Sequence, residues 1–184
     1  MGRDVLRPNG AGSQTAIGGQ YPSSGAHWNK VAETPSDEDT TYVLQGVVNG
    51  SLYYRDLYAL PDGTGGSNII DSVVVYIRTR KTPAETLNCK TSIRTNSTTY
   101  DSSANILAIS YQVFSTTYAT NPNTGSAWTW AQIAALEAGV ALQSPTAAGN
   151  TRCTQVWVEV NWHPGIVTST IDIDWVDAFE ALAA

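Results

Sequence analysis

Apolar side chains recur at every second position through most of the chain beyond residue 40. That spacing puts one face of a strand on a core and the other towards water. The clearest case is Arg152-Cys-Thr-Gln-Val-Trp-Val-Glu-Val-Asn-Trp162, with Val156, Val158, Val160 and Trp162 on one side. Gln155, Trp157, Glu159 and Asn161 fall on the other. Residues 70–78 repeat the pattern: Val73, Val75 and Ile77 are expected inside, and Tyr76 and Arg78 face away. Residues 40–45, 52–58, 88–94, 140–143 and the long apolar run 106–114 are further strand candidates, rich in β-branched and aromatic side chains. Asn49-Gly50, Asp62-Gly63, Gly65-Gly66, Asn96 and His163-Pro164 supply the turns and breaks between them. A last alternation, Ile171-Asp-Ile-Asp-Trp175, runs towards the C-terminus.

One helix interrupts the strands. Thr129-Trp-Ala-Gln132 has capping-box spacing, so Thr129 would hold the free N–H groups of the first turn and Gln132 would reach back. Trp130, Ile133, Ala134 and Leu136 form its apolar face, and Gly139 is expected to end it, which places a short helix near 129–137. Residues 1–39 are rich in Gly, Ser, Pro and Asn and show almost no period. They are expected either to lie along the body, pinned by Val5, Leu6, Ile17, Tyr21 and Trp28, or to dock as an arm on a neighbour. With many short strands, no βαβ rhythm and no internal repeat, the prediction is an all-β antiparallel sandwich of jelly-roll type. Its parts would be an N-terminal arm or extended segment over 1–39, the sandwich over 40–163 and a C-terminal arm over 164–184.

Composition narrows the partners. The 184 residues suit one domain, and charged residues make up only 14%, against about 25% in ordinary soluble domains. The net charge of −6 and scattered basic residues exclude the clustered Lys and Arg that a nucleic acid needs. Arg78-Thr-Arg80-Lys81 is expected to be a solvated strand end. No apolar stretch approaches 18 residues, so no membrane span is expected, and residues 1–8 lack the apolar core of a secretory signal. By alternation Cys89 shares a face with Ile93, whereas Cys153 shares one with Gln155, Trp157 and Glu159. Those unlike faces point to two free thiols, and no spacing suggests zinc.

Little catalytic chemistry is visible. Nothing in the sequence assigns a carboxylate partner to His27 or His163, and there is no GxSxG elbow. Glu159 is the best single candidate for one acid of a glycosidase pair, but its simpler reading is a solvent-facing strand glutamate. No catalytic residue and no cofactor are therefore assigned. Calcium is the one ion to weigh: Asp37-Glu-Asp39 and the group Asp172, Asp174, Asp177 offer oxygens, but neither matches a calcium loop, and exposure to solvent is expected. Six tryptophans and nine tyrosines stand against two phenylalanines. Tyr and Trp join apolar area to a polar tip, which suits interfaces and sugar-stacking platforms. Tyr53, Tyr54, Tyr58, Tyr76 and Trp157 are the candidates on exposed strand faces, with Trp28, Trp175 and Phe179 in the flanking segments.

An ordered series of segments carries a resemblance: Leu6-Arg-Pro-Asn-Gly10, Ser24-Gly-Ala-His-Trp28, Asp39-Thr-Thr-Tyr-Val43, Asp56-Leu-Tyr-Ala-Leu60, Asn121-Pro-Asn-Thr-Gly-Ser-Ala-Trp128 and Arg152-Cys-Thr-Gln-Val-Trp-Val-Glu-Val160. Together they resemble an uncharacterised group of β-sandwich proteins from phage and environmental virus sequences, of head-decoration, tail or fibre type. The region from Pro164 onward departs from that group. The resemblance implies a structural subunit of a virion or extracellular filament that assembles with itself and with other subunits through its faces and arms. The alternative is a carbohydrate-binding module-like domain that holds cell-surface glycans on its Tyr and Trp side chains.

Overall fold

The computed structural model describes residues 1–47 and 52–165. In chain order the strands are β1 (Gly2–Leu6), β2 (Gly10–Thr15), β3 (Gly19–Tyr21), β4 (Tyr42–Gly46), β5 (Tyr53–Ala59), β6 (Ile69–Lys81) and β7 (Asn88–Thr95). They continue with β8 (Thr98–Asp101), β9 (Asn105–Ile106), β10 (Gln112–Tyr118), β11 (Glu137–Gln143) and β12 (Asn150–His163). A 3-10 turn, His27–Lys30, and one α-helix, α1 (Trp130–Ala134), complete the set. One sheet runs β10-β6-β12-β4-β3 with β1 also paired to β12; the other runs β2-β5-β11-β7-β8 with β9 also on β7. Every pairing is antiparallel, so the predicted all-β antiparallel sandwich is the fold.

The central pair is β6 against β12, and its alternation is the one expected. Val73, Val75, Ile77, Val156, Val158 and Val160 are all fully buried between the sheets. Removing each such side chain from water contributes about 1.5–3 kcal/mol, so this pair anchors the core. α1 begins with the predicted capping box: Thr129 accepts from the Gln132 N–H, and the Gln132 side chain accepts from the Thr129 N–H. Ile133 is its buried residue and closes one end of the core beside Trp128 and Leu136.

Of the two courses expected for residues 1–39, the chain takes the one along the sandwich, supplying β1 and β3 to one sheet and β2 to the other. Other expectations change. The run 106–114 is not one strand. Its residues cross from one sheet to the other: β9 pairs with β7, the Leu107 N–H bonds to Leu87, and β10 then pairs with β6. Gly139 does not end the helix but lies inside β11, opposite Leu57 of β5. There a Cβ would overlap the Asp56 carbonyl oxygen, so β5 and β11 approach closely only because the position has no side chain. The Asn49-Gly50 turn, Ile171–Trp175, Asp172, Asp174, Asp177, Trp175 and Phe179 lie outside the described residues.

A register shift between Cys153 and Gln155 overturns the reasoning about the cysteines. The extra residue resets the alternation, so Cys153 joins Val156 in the core instead of sharing a face with Trp157. Cys89 occupies the same cluster, and both are free thiols. Burial pushes the Cys89 thiol up to about 12, and burial raises Cys153 further in the same direction. The thiols are thus inert core side chains.

The crowding at Gly139 gives a direct test. Gly139→Ala should lower the unfolding free energy by about 3 kcal/mol, the upper range for overpacking a tight site. Urea unfolding checks it, and a loss below 0.5 kcal/mol, the usual surface value, would show that β5 and β11 can separate freely.

Candidate functional site

Strand β5 alternates tyrosines on both faces, and the residues that point inward are Tyr54, Asp56 and Tyr58. Asp56 has no exposed side-chain surface. A carboxylate in that position is tolerable only if its oxygens are fully bonded. They are: the Ala16 and Ile17 N–H groups donate to Oδ1 at 2.8 and 2.9 Å. His27 Nδ1 lies 2.6 Å from Oδ2, and the Tyr58 hydroxyl donates to the same oxygen at 3.2 Å. Asp56 therefore fixes the link between β2 and β3 and the 3-10 turn onto β5. Burial first, and then the Asp56 charge, push the Tyr58 phenol well above its ordinary value, so it stays a donor.

Beside this cluster opens a pocket of about 190 Å³, lined by Ala11, Thr15, Ala26, His27, Trp28 and Tyr58. Ala11 reaches it from β2, directly opposite Tyr58 on β5. The register shift between Ala11 and Thr15 then bends β2 away, which keeps the mouth open. A carboxylate oxygen accepts, so His27 Nδ1 is the donor of this bond, and the bond holds the imidazole in one orientation. The pocket's lining is predominantly apolar, supplied by the side chains of Ala11, Ala26, Trp28 and Tyr58 together with Thr15 and His27.

The predicted aromatic positions divide. Trp28 and Tyr58 meet at this pocket; Tyr58, expected on an exposed face, is 1% exposed and belongs to the core. Tyr54 packs inward beside it, against the same core cluster. Tyr53 is on the outer face, under the Lys90 ammonium at 4.6 Å. Tyr76 and Trp157 come together on the outer face of β6 and β12, their rings stacked at 4.8 Å and 2°. Arg7, beyond β12 from Tyr76, lies 5.7 Å from the Trp157 ring. Both faces of Trp157 are thus covered, and it offers no open platform. Glu159, the acid singled out for hydrolysis, is next to this stack, 3.4 Å from Arg3 and accepting from the Tyr76 hydroxyl at 3.3 Å.

The acidic loop 37–39 reaches solvent as expected, but two of its acids are ion-paired: Glu38 pairs with Arg78, and Asp39 bridges Arg152 at 2.8 Å and Arg80 at 3.3 Å. Arg78 and Arg80 are consequently not a solvated strand end, and Lys81, 8% exposed, donates to the Glu85 carbonyl. Among the described residues no group of three or more metal-ligating side chains forms. Both histidines have carboxylate partners that the sequence did not assign: besides His27 on Asp56, His163 Nδ1 sits 2.6 Å from Asp71. Sequence separation hid these pairs. His27 and Asp56 are 29 positions apart, and no local motif links a loop histidine to a strand aspartate.

No protein-family model matches the chain, and no curated protein matches it by sequence. Solved structures similar to it include the CBM22-1 xylan-binding domain from Paenibacillus barcinonensis Xyn10C, at 10% identity and a TM-score of 0.45. That match covers 85% of this chain and 94% of the other. CBM35 from Cellvibrio japonicus Abf62 is similar at 10% identity and a TM-score of 0.44, over 89% of this chain and 98% of that one. The N-terminal cellulose-binding domain of Cellulomonas fimi β-1,4-glucanase C gives 12% identity and a TM-score of 0.38, over 90% of each chain. At these identities and scores the neighbours transfer no site residue and no ligand to this chain.

Two measurements test the electrostatics. Asp56→Ala leaves two N–H groups and His27 without their acceptor, and should cost about 3–5 kcal/mol in urea unfolding, the range for breaking a buried pair. For Asp39, burial raises the carboxyl, but hydrogen bonds from Tyr111 and Arg152 and the charges of Arg80 and Arg152 outweigh it and hold it below 3.8. A carboxyl lowered by folding contributes stability above its ordinary value and loses it as pH falls through the lowered one. Glu33, raised by burial and by Asp37, works in the opposite direction: its contribution is complete below 4.5 and fades as pH rises through the raised value. Thermal melts should therefore show Asp39→Asn less sensitive than the parent protein to acid below pH 4, with little difference in slope near neutrality. Parallel curves would remove Asp39 from the acid response.

Proposed function

We propose that the chain is a non-catalytic, surface-binding domain that holds a carbohydrate in the pocket beneath β2. The observation that carries this reading is the combination of Trp28 and Tyr58 rings with one imidazole fixed in place by a buried carboxylate. Sugar rings present C–H faces that pack on aromatic side chains, and polar rims that need a few well-placed hydrogen-bond partners. Fixing a partner in advance lowers the ordering cost of binding. The His27–Asp56 pair supports recognition better than turnover. Its neighbours in the pocket are alkyl and aromatic groups, with Thr15 the one hydroxyl side chain not already spent.

Assembly as a virion or filament subunit has less support. That reading drew on two docking arms, and residues 1–39 are used by the chain's own sheets while most of 164–184 lies outside the described residues. The outer-face aromatics Tyr76 and Trp157 are likewise engaged within the chain.

Ala11→Phe tests the pocket, because position 11 is an exposed strand residue at its mouth and the larger ring would fill the opening. On a glycan array the parent protein should retain a reproducible set of sugars, and the variant should lose at least tenfold in affinity with its thermal stability kept. No reproducible binding, or binding indifferent to Ala11→Phe, would remove the pocket from the function.

A further inference from the structure

We infer that the free edge of β10 pairs with the same strand of a second copy of this chain, an interface independent of the carbohydrate reading above. β10 ends its sheet, with β6 as its one neighbour there. Half of the N–H and C=O groups of such a strand point away from the sheet and need partners. Among the described residues the β10 backbone makes one hydrogen bond beyond β6, which the Trp128 indole donates to the Tyr118 carbonyl.

Sheet edges are ordinarily kept from pairing with other chains by shortness, charge or a bend. The other edges of this sandwich have those devices. β3 is three residues long and stops at Pro22, β8 and β9 are four and two residues long, and β1 carries Arg3 and Asp4. β2 is bent by the register shift after Ala11. β10 has none of them. Its seven residues, Gln-Val-Phe-Ser-Thr-Thr-Tyr, hold no charge and no proline, and they keep one register with β6 throughout.

Charge selects the partner. Residues 102–136 contain no Asp, Glu, Lys, Arg or His, although the chain carries a net charge of −6. Copies of an acidic protein repel one another, and like charges facing across a strand pair are unfavourable. A stretch with no charge is where two copies meet unopposed, and it offers a charged partner nothing to pair with. It includes β9, the crossing between the sheets and β10, and there Ile106, Ile109 and Val113 are 67%, 54% and 46% exposed. Antiparallel pairing is also self-complementary under a twofold axis. About Ser115 it sets Val113 opposite Thr117 and Phe114 opposite Thr116, so residues of one face always meet residues of the same face. The two β10-containing sheets then become one. The pocket lies beside β2, at the far edge of the other sheet, and stays open in both copies.

Sedimentation velocity on the full chain, over a series reaching high micromolar concentration, tests the inference. The parent protein should be a dimer in reversible exchange with monomer. Ser115 is exposed, so Ser115→Lys should keep the fold by circular dichroism while setting two ammonium groups opposite each other. Dimerisation should then weaken at least tenfold, since opposed like charges at an interface are strongly unfavourable. Ser115→Cys should close an intermolecular disulfide on mild oxidation, because opposed Cα atoms of an antiparallel pair lie about 4.5–5.5 Å apart, within disulfide reach. Cys89 and Cys153 are buried and do not compete. Dimers weakened by Ser115→Lys but not linked through Ser115→Cys would overturn the register about Ser115 and keep the β10 edge. A parent protein that stays monomeric, or association that Ser115→Lys leaves intact, would sink the inference.

Discussion

A carboxylate without access to water organises the N-terminal third of this protein. Asp56 is the inward-facing residue at the middle of β5, and an isolated charge there would be prohibitively unfavourable. Four donors from three stretches of chain meet it: two backbone N–H groups at residues 16 and 17, the imidazole of His27 and the hydroxyl of Tyr58. None of these stretches has much hydrophobic periodicity of its own. Ile17 and Trp28 do pack on the core, but their placement follows from the polar cluster that fixes the backbone around them. The same cluster orients His27 and shapes the pocket, so stability and recognition have one origin.

The outer surfaces of both sheets are organised by pairing rather than burial. Charged residues are few, yet Arg3, Arg55, Arg78, Arg80, Arg94 and Arg152 each meet an acid. Arg55 reaches from β5 across β11 to Ser92 and Asp101. That span is open because β11 carries Gly139 and Ala141 on its outer side. Individually, exposed pairs of this kind contribute little. Their effect is to set register: Arg3–Glu159, Arg55–Asp101 and Arg94–Glu137 link strands, Arg78, Arg80 and Arg152 hold the loop before β4, and a one-residue slip would separate the strand pairs while turning the valines outward.

How much of this was readable in advance depended on whether one face of a segment had to be apolar. β6 and β12 bury every second side chain, so their alternation and their core residues were legible, as was the capping box of α1. β1, β2 and β3 were not. Their sequences are Gly-Arg-Asp-Val-Leu, Gly-Ala-Gly-Ser-Gln-Thr and Gly-Gln-Tyr, and Leu6 is the one fully buried residue among them. Strands that bury so little need no apolar period, and glycine where the chain passes over Leu57 reads as loop chemistry. β5 misled for another reason. Tyrosines occupy both of its faces, so Tyr54 and Tyr58 were expected outside, when they flank the fully buried Asp56 on the inner face. The cysteine error came from a single inserted residue between Cys153 and Gln155, which alternation cannot reveal because both sides of the bulge keep a period of two.

The site itself was legible only in pieces, and the reason bears on what it does. A catalytic histidine is recognised by the reactive group it serves, and sequence motifs exist because nucleophile, base and backbone donors must keep a fixed geometry. A recognition histidine has no such constraint on its neighbours. It needs one orienting partner, here Asp56, and an adjoining surface on which a ligand can pack, here the alanine methyls and the rings of Trp28 and Tyr58. Those requirements can be met from any four places in a fold. Apolar walls make an unpaired ligand polar group unfavourable, so discrimination comes from the walls as much as from the oriented imidazole. Selectivity of this kind is achieved by shape and by the donors left unsatisfied when the wrong group enters, and it asks for no chemistry at all.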